Sequence, residues 1–185
     1  MELLRTLKTA VAWLALATLA SPLPAIALSP ADAQREYAVK SVFLYNFCRF
    51  IEWPREAFGG PAEPLIIGVI GDDPFGPLLN EAVQGERMRG RPIRIERYRR
   101  ASEIERCHLL FVSASEAARL DEIFATVSGK SVVTVGETEE FLDHGGMIAL
   151  TKDRERVRLR VNPARLRAAS LSVSSKLLSV AEIKS

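Results

Sequence analysis

The chain has 185 residues, and its 25 Lys and Arg are nearly balanced by 23 Asp and Glu, for a formal net charge of +2. Charge this mixed gives no broad basic face for a nucleic acid, while a hydrophobic share of 48% is enough for a folded core. The two cysteines and two histidines form no zinc-ligand spacing.

The first 27 residues read as an export signal. Arg5 and Lys8 make a positive n-region, Ala10–Ala20 is an apolar run ended by Pro22 and Pro24, and Ala25-Ile26-Ala27 offers small residues to signal peptidase. Ala10–Ala20 spans 11 residues, against ~20 for a bilayer-crossing helix. Cleavage after Ala27 leaves residues 28–185 as a single exported domain that does not span the membrane once processed.

A long helix is predicted from Asp32 to about Phe58, capped by Ser29 or Asp32 and broken near Pro54. On a helical wheel Val39, Phe43, Leu44, Phe47, Phe50 and Ile51 share an apolar arc, with Ser41, Asn46, Arg49 and Glu52 opposite. Val42, Tyr45 and Trp53 fall among those polar residues. Leu65–Ile70 is a continuous apolar run suited to a strand buried on both faces, ended by Gly71-Asp72-Asp73-Pro74. Phe75–Val83 has helical spacing. Pro92–Tyr98 alternates as a strand with one wet face, and the basic stretch Arg87–Arg100 reads as a solvated strand edge.

Ser102–Arg106 is a short helical piece, and His108–Val112 is a second buried strand. A helix from Ser115 to Val127, capped by Ser115, leads to a third buried strand at Ser131–Val135. Thr138–Asp143 is a short helix stopped by Gly145-Gly146. Met147–Leu150 and Val157–Val161 form a hairpin across Lys152–Glu155. Asn162-Pro163 starts a last helical region that is interrupted around Leu171–Val173 and resumes at Ser174 or Ser175. Helices alternating with buried strands predict an α/β three-layer sandwich with a mainly parallel sheet and an antiparallel C-terminal hairpin.

In such folds chemistry collects at the carboxyl ends of the strands. Asp72 and Asp73 follow the first buried strand, and Ser113 and Ser115 follow the second. Together with the Gly145-Gly146 turn they are candidates for a small-ligand pocket; turn formation and helix capping are the competing explanation. Dinucleotide, Walker and nucleophile-elbow patterns are absent, and His108 and His144 lack ligating or triad companions, so the residues nominate no catalytic group, cofactor or metal.

The stretch Phe43–Pro54, FLYNFCRFIEWP, resembles the "FLYNFxKFxEWP" signature of the YfiR-like periplasmic family. GDDPFG at Gly71–Gly76, CHLLFVS at Cys107–Ser113, GGMI at Gly145–Ile148 and the tail Val157–Leu178 agree in order. The resemblance implies a small, non-catalytic periplasmic α/β protein. Its best-known members, YfiR and HmsC, restrain an inner-membrane diguanylate cyclase through its periplasmic part and so act on cyclic-di-GMP signalling and biofilm formation. Other members sit beside sensor kinases or transport systems, which leaves open a small ligand as well as a homodimer.

Members of that family often carry a cysteine in the first strand that can pair with the one before "HLLF". Here that position is Gly68, while Cys48 stands in the first helix. Two readings follow: a Cys48–Cys107 bridge, or two buried free thiols. The helix also carries Tyr45, Asn46, Arg49 and Trp53 on its polar side, aromatic and Arg groups typical of a partner-binding surface. The competing reading is that the Phe58–Pro64 loop or the C-terminal helix covers them.

Overall fold

The computed structural model describes residues 29–184, so the expected export signal and its cleavage site lie outside the described residues. Helix α1 spans Pro30–Phe50 and is followed by strands β1 (Ile51–Glu52) and β2 (Leu65–Ile70). Then come α2 (Pro77–Val83), β3 (Arg87–Met88), β4 (Arg91–Tyr98) and β5 (Leu109–Val112). Helix α3 (Leu120–Val127) precedes β6 (Val133–Gly136), β7 (Ile148–Asp153) and β8 (Arg156–Val161). The chain closes with α4 (Pro163–Ala168), β9 (Ser172–Val173), α5 (Ser175–Leu178) and β10 (Glu182–Ile183).

Eight strands form one sheet in the order β10-β8-β7-β6-β5-β2-β4-β3. Strands β4, β2, β5, β6 and β7 run parallel, and β7 and β8 form the antiparallel hairpin. The apolar runs of β2 and β5 are buried at every position because helices cover both faces. Leu65, Ile67, Val69, Leu109 and Phe111 pack beneath α1 and α2, while Ile70, Leu110 and Val112 pack against α3. The expected α/β sandwich with a mainly parallel sheet is therefore the fold.

Local signals act as expected at several ends. Ser29 caps α1, its Oγ accepting from the Asp32 N–H at 3.2 Å, and Asn162 caps α4 with Pro163 in the first turn. The interruption at Leu171–Val173 is β9, and Ser174 caps α5.

Three local expectations are corrected. Helix α1 stops at Phe50 rather than running to Phe58, because Ile51 and Glu52 extend to pair with Val173 and Ser172 of β9. Ser113, not Ser115, makes the cap before α3, with a 3-10 turn over Ala114–Arg119 preceding the helix. The buried face of α1 is Lys40, Ser41, Leu44, Phe47 and Cys48, whereas Val39 is 45% exposed.

Gly68, at the centre of β2, is required by close approach. A Cβ there would lie 2.6 Å from Tyr98 Cε2 and 2.9 Å from Cys107 Sγ. The Tyr98 ring has little room to yield, since its hydroxyl shares its one proton between Glu96 at 2.8 Å and the Arg106 carbonyl at 3.1 Å. Gly68→Ala is expected to lose roughly 1–3 kcal/mol, read as a lower urea midpoint at unchanged slope.

Candidate functional site

The first helix is held on the sheet by a buried charge cluster. Lys40 is 2% exposed, and its Nζ lies 2.6 Å from Glu36 and 2.8 Å from Glu137. Glu137 follows β6 at its carboxyl end, where its other oxygen accepts from the Ala114 N–H at 3.0 Å. The Tyr37 hydroxyl donates to Glu137 at 3.1 Å, and Lys152 of β7 reaches Glu36 at 3.2 Å. Two lysines thus face two carboxylates, each carboxylate being shared. Burial works to raise the Glu36 pKa, but the hydrogen bond and charge of Lys40, with those of Lys152, hold it below the usual carboxylate range. Burial and the neighbouring Glu137 push the Tyr37 hydroxyl up, so it remains a donor. None of these residues was singled out from the sequence; the Glu36–Lys40 spacing of four was the available signal.

With Lys40 facing inward, Arg35, Val42 and Arg49 face outward and are exposed, and Asn46 and Tyr45 are half-buried. Tyr45 donates to Glu86 at 2.6 Å, in the turn before β3. Trp53 does not belong to this surface. Its Nε1 donates to the His108 carbonyl at 3.0 Å, and its ring meets the imidazole edge-on. Phe58 stacks on His108 at 4.3 Å, and the Arg91 guanidinium covers Phe58 at 4.0 Å. The four residues expected to form one patch therefore divide: Tyr45, Asn46 and Arg49 lie on the helix, and Trp53 is a strut under the Phe58 loop.

His108 is itself structural. Its Nδ1 accepts from the Ile66 N–H at 3.0 Å, which places the proton of the neutral ring on Nε2. Burial pushes its pKa down.

At the carboxyl edge of the sheet, next to the Lys40–Glu137 cluster, the predicted ligand residues bond to one another and to the frame. The Asp72 N–H donates to Ser115 Oγ at 3.0 Å, closing the loop after β2 onto the loop after β5. Asp73 accepts from the Phe75 N–H at 2.8 Å and pairs with Arg97 at 2.6 Å, and Ser113 Oγ accepts from the Ser115 N–H at 3.4 Å. These are turn and capping bonds. Gly145 and Gly146 precede β7, which is parallel to β6, so they lie at the amino ends of the strands and share no pocket with Asp72 or Ser113. A cleft of about 450 Å³ opens at that amino edge, lined by Phe124, Lys130, Thr134, Met147 and Arg165 among others.

Cys48 and Cys107 are free, buried thiols; the bridge between them is not formed. Cys48 Sγ donates to the Leu44 carbonyl at 3.4 Å and Cys107 Sγ to the Leu109 carbonyl at 3.1 Å. Burial pushes the Cys107 pKa up to about 12 and that of Cys48 higher still, so neither is a reactive thiolate. The residue facing Cys107 across the sheet is Gly68.

A family profile described as YfiR/HmsC-like matches residues 37–182. The chain belongs to this family. Within that match the signature block and the "CHLLF" block meet in space, through Trp53 and His108. No curated protein matches the chain in sequence. Among solved structures, a conserved domain protein from Vibrio cholerae O1 biovar El Tor strain N16961 is similar in fold, with a TM-score of 0.50 at 10% identity. The alignment covers 64% of this chain and 54% of that one, so this chain spans about half the length of that relative. Among the described residues no helix is long and apolar enough to cross a membrane.

Two outcomes test this description. Lys40→Met, which keeps the aliphatic stem and leaves Glu36 and Glu137 buried without their shared cation, is expected to lose about 3–5 kcal/mol in urea unfolding. His108 binds its proton less readily when folded than its ordinary value near 6.5. Below about pH 6.5 the unfolded chain therefore takes up more protons, and the stability His108 contributes above that pH is lost as the pH falls towards its folded value. The urea midpoint should drop between pH 7 and 5.5, and His108→Gln should flatten that slope.

Proposed function

We propose that this chain is a non-catalytic periplasmic regulator that restrains an inner-membrane signalling protein, a diguanylate cyclase in the first instance. The observation that carries the reading is the YfiR/HmsC-like match over residues 37–182. The N-terminal sequence supports it, because Arg5, Lys8, the Ala10–Ala20 run and Ala25-Ile26-Ala27 suit export followed by release of residues 28–185. The outer side of α1, with Tyr45, Asn46 and Arg49, supports it further by offering aromatic, amide and guanidinium groups to a protein partner.

The small-ligand alternative draws little support from the loops first nominated for it, since the Asp73, Ser113 and Ser115 side chains are engaged in turn and capping bonds and Asp72, whose backbone N–H closes the loop onto Ser115, leaves only an exposed carboxylate. A sensor kinase in place of the cyclase would use the same export route and the same kind of contact.

Deleting the coding sequence from its bacterium is expected to raise cellular cyclic-di-GMP and surface attachment. The full chain should restore both, and a version lacking residues 1–27 should not. Unchanged cyclic-di-GMP after deletion would refute restraint of a cyclase.

A further inference from the structure

Helix α1 presents a second regular pattern on the side away from the sheet. Arg35, Val39, Val42, Asn46 and Arg49 are spaced alternately by four and three residues, which aligns them on one stripe. Val39 is 45% exposed and Val42 is 52% exposed, two of the large apolar side chains left most open among the described residues. Half-buried Tyr45 and Phe43 flank the stripe on either side. The register is enforced from beneath, because Lys40, Leu44, Phe47 and Cys48 occupy the inward side.

From Arg35 to Arg49 the charge on this stripe is positive, and Asp32, one step earlier in the same spacing, is its one carboxylate. Arg35 and Arg49 are both exposed and form no ion pair among the described residues. They stand two heptads apart, about 21 Å along the axis. Between Val39 and Arg49 the helix holds no carboxylate, and its one other cation, Lys40, is buried. Beside the amino-terminal half, the β7–β8 hairpin faces Arg35 and Val39 across a groove of about 460 Å³, in which the cations Arg35, Lys152, Arg154 and Arg156 outnumber the carboxylates Asp32, Glu36 and Glu155 by one.

We propose that this stripe receives an acidic, amphipathic helix from the membrane-anchored partner. Its apolar residues would follow the same alternating spacing, and its carboxylates would lie opposite Arg35 and Arg49. The proposal rests on the regulatory reading above and deepens it by naming the surface and the chemistry of the partner. Alternating spacings of three and four are what a second helix follows when it packs along the first. A second copy of α1 fits poorly. Antiparallel pairing about Val42 would set Arg35 of each copy against Arg49 of the other, and parallel pairing would set each Arg against itself. Like charges brought together at an interface oppose association.

The test places a photo-crosslinking p-benzoylphenylalanine at Val42 in the full chain, produced in its own bacterium and irradiated in living cells. The captured peptide, sequenced by mass spectrometry, should come from the extracytoplasmic part of a membrane signalling protein. It should show apolar residues at alternating spacings of three and four, flanked by Asp or Glu. Arg35→Glu with Arg49→Glu should cut the product roughly tenfold, equivalent to about 1.4 kcal/mol of binding. Arg35→Lys with Arg49→Lys should retain it, and thermal melting of both double variants should match that of the parent.

Capture of a second copy alone, a captured peptide without that pattern, or indifference to charge reversal would overturn the proposal. The same reagent at the exposed Ala125 of α3, on the opposite layer, separates the two levels of the argument. Capture of the membrane protein from Ala125 but not from Val42 would leave the regulatory reading standing and remove the stripe. Silence at both positions would count against both.

Discussion

The orientation of the first helix depends on one buried cation. Lys40 reaches Glu36 on its own helix and Glu137 at the carboxyl end of β6, and that second carboxylate is also held by Tyr37 and by the backbone before α3. Charges buried this deeply are tolerated only when paired and hydrogen-bonded, so the helix has one rotation in which the cluster is satisfied. That rotation puts Leu44, Phe47 and Cys48 into the core and Val39, Val42 and Arg49 into solvent. The same constraint that fixes the packing thereby selects the side of α1 that is left open to solvent.

A second anchor works at the other end of the helix. The chain leaves α1 as a short strand paired with β9, and Trp53 then bonds to the His108 carbonyl while Phe58 stacks on its ring. His108 also accepts from the Ile66 N–H, which ties β2 to β5 through a neutral imidazole. The aromatic signature thus serves two purposes. Its phenylalanines and Trp53 hold the helix to the sheet, Tyr45 lies half-buried at the rim of the core, and Arg49 remains on the outside.

Legibility of the fold followed the range of the interactions involved. The buried strands, the hairpin and the Asn162-Pro163 start could be read because each depends on a few neighbouring residues. The rotation of α1 could not, because the partner that buries Lys40 lies 97 positions away in the chain. An apolar wheel has no means of assigning a lysine to the core, so it turned the helix towards Val39 and left Ser41 outside. The candidate site divided in the same way. Tyr45, Asn46 and Arg49 were reachable by periodicity within one helix, whereas Trp53 was placed by a loop and a strand remote from it.

The sequence by itself determined the alternation of helices and strands, the family, and a first helix carrying aromatic and arginine side chains outside its apolar arc. These rest on local periodicity, on caps, and on residue blocks that keep their order along the chain. Only the tertiary structure decided which side of α1 is outward, that Asp72 and Ser115 close on each other, and that Gly145 lies at the opposite edge of the sheet from them. Those outcomes depend on strand direction and on a buried ion cluster, and both exist only once distant segments have come together.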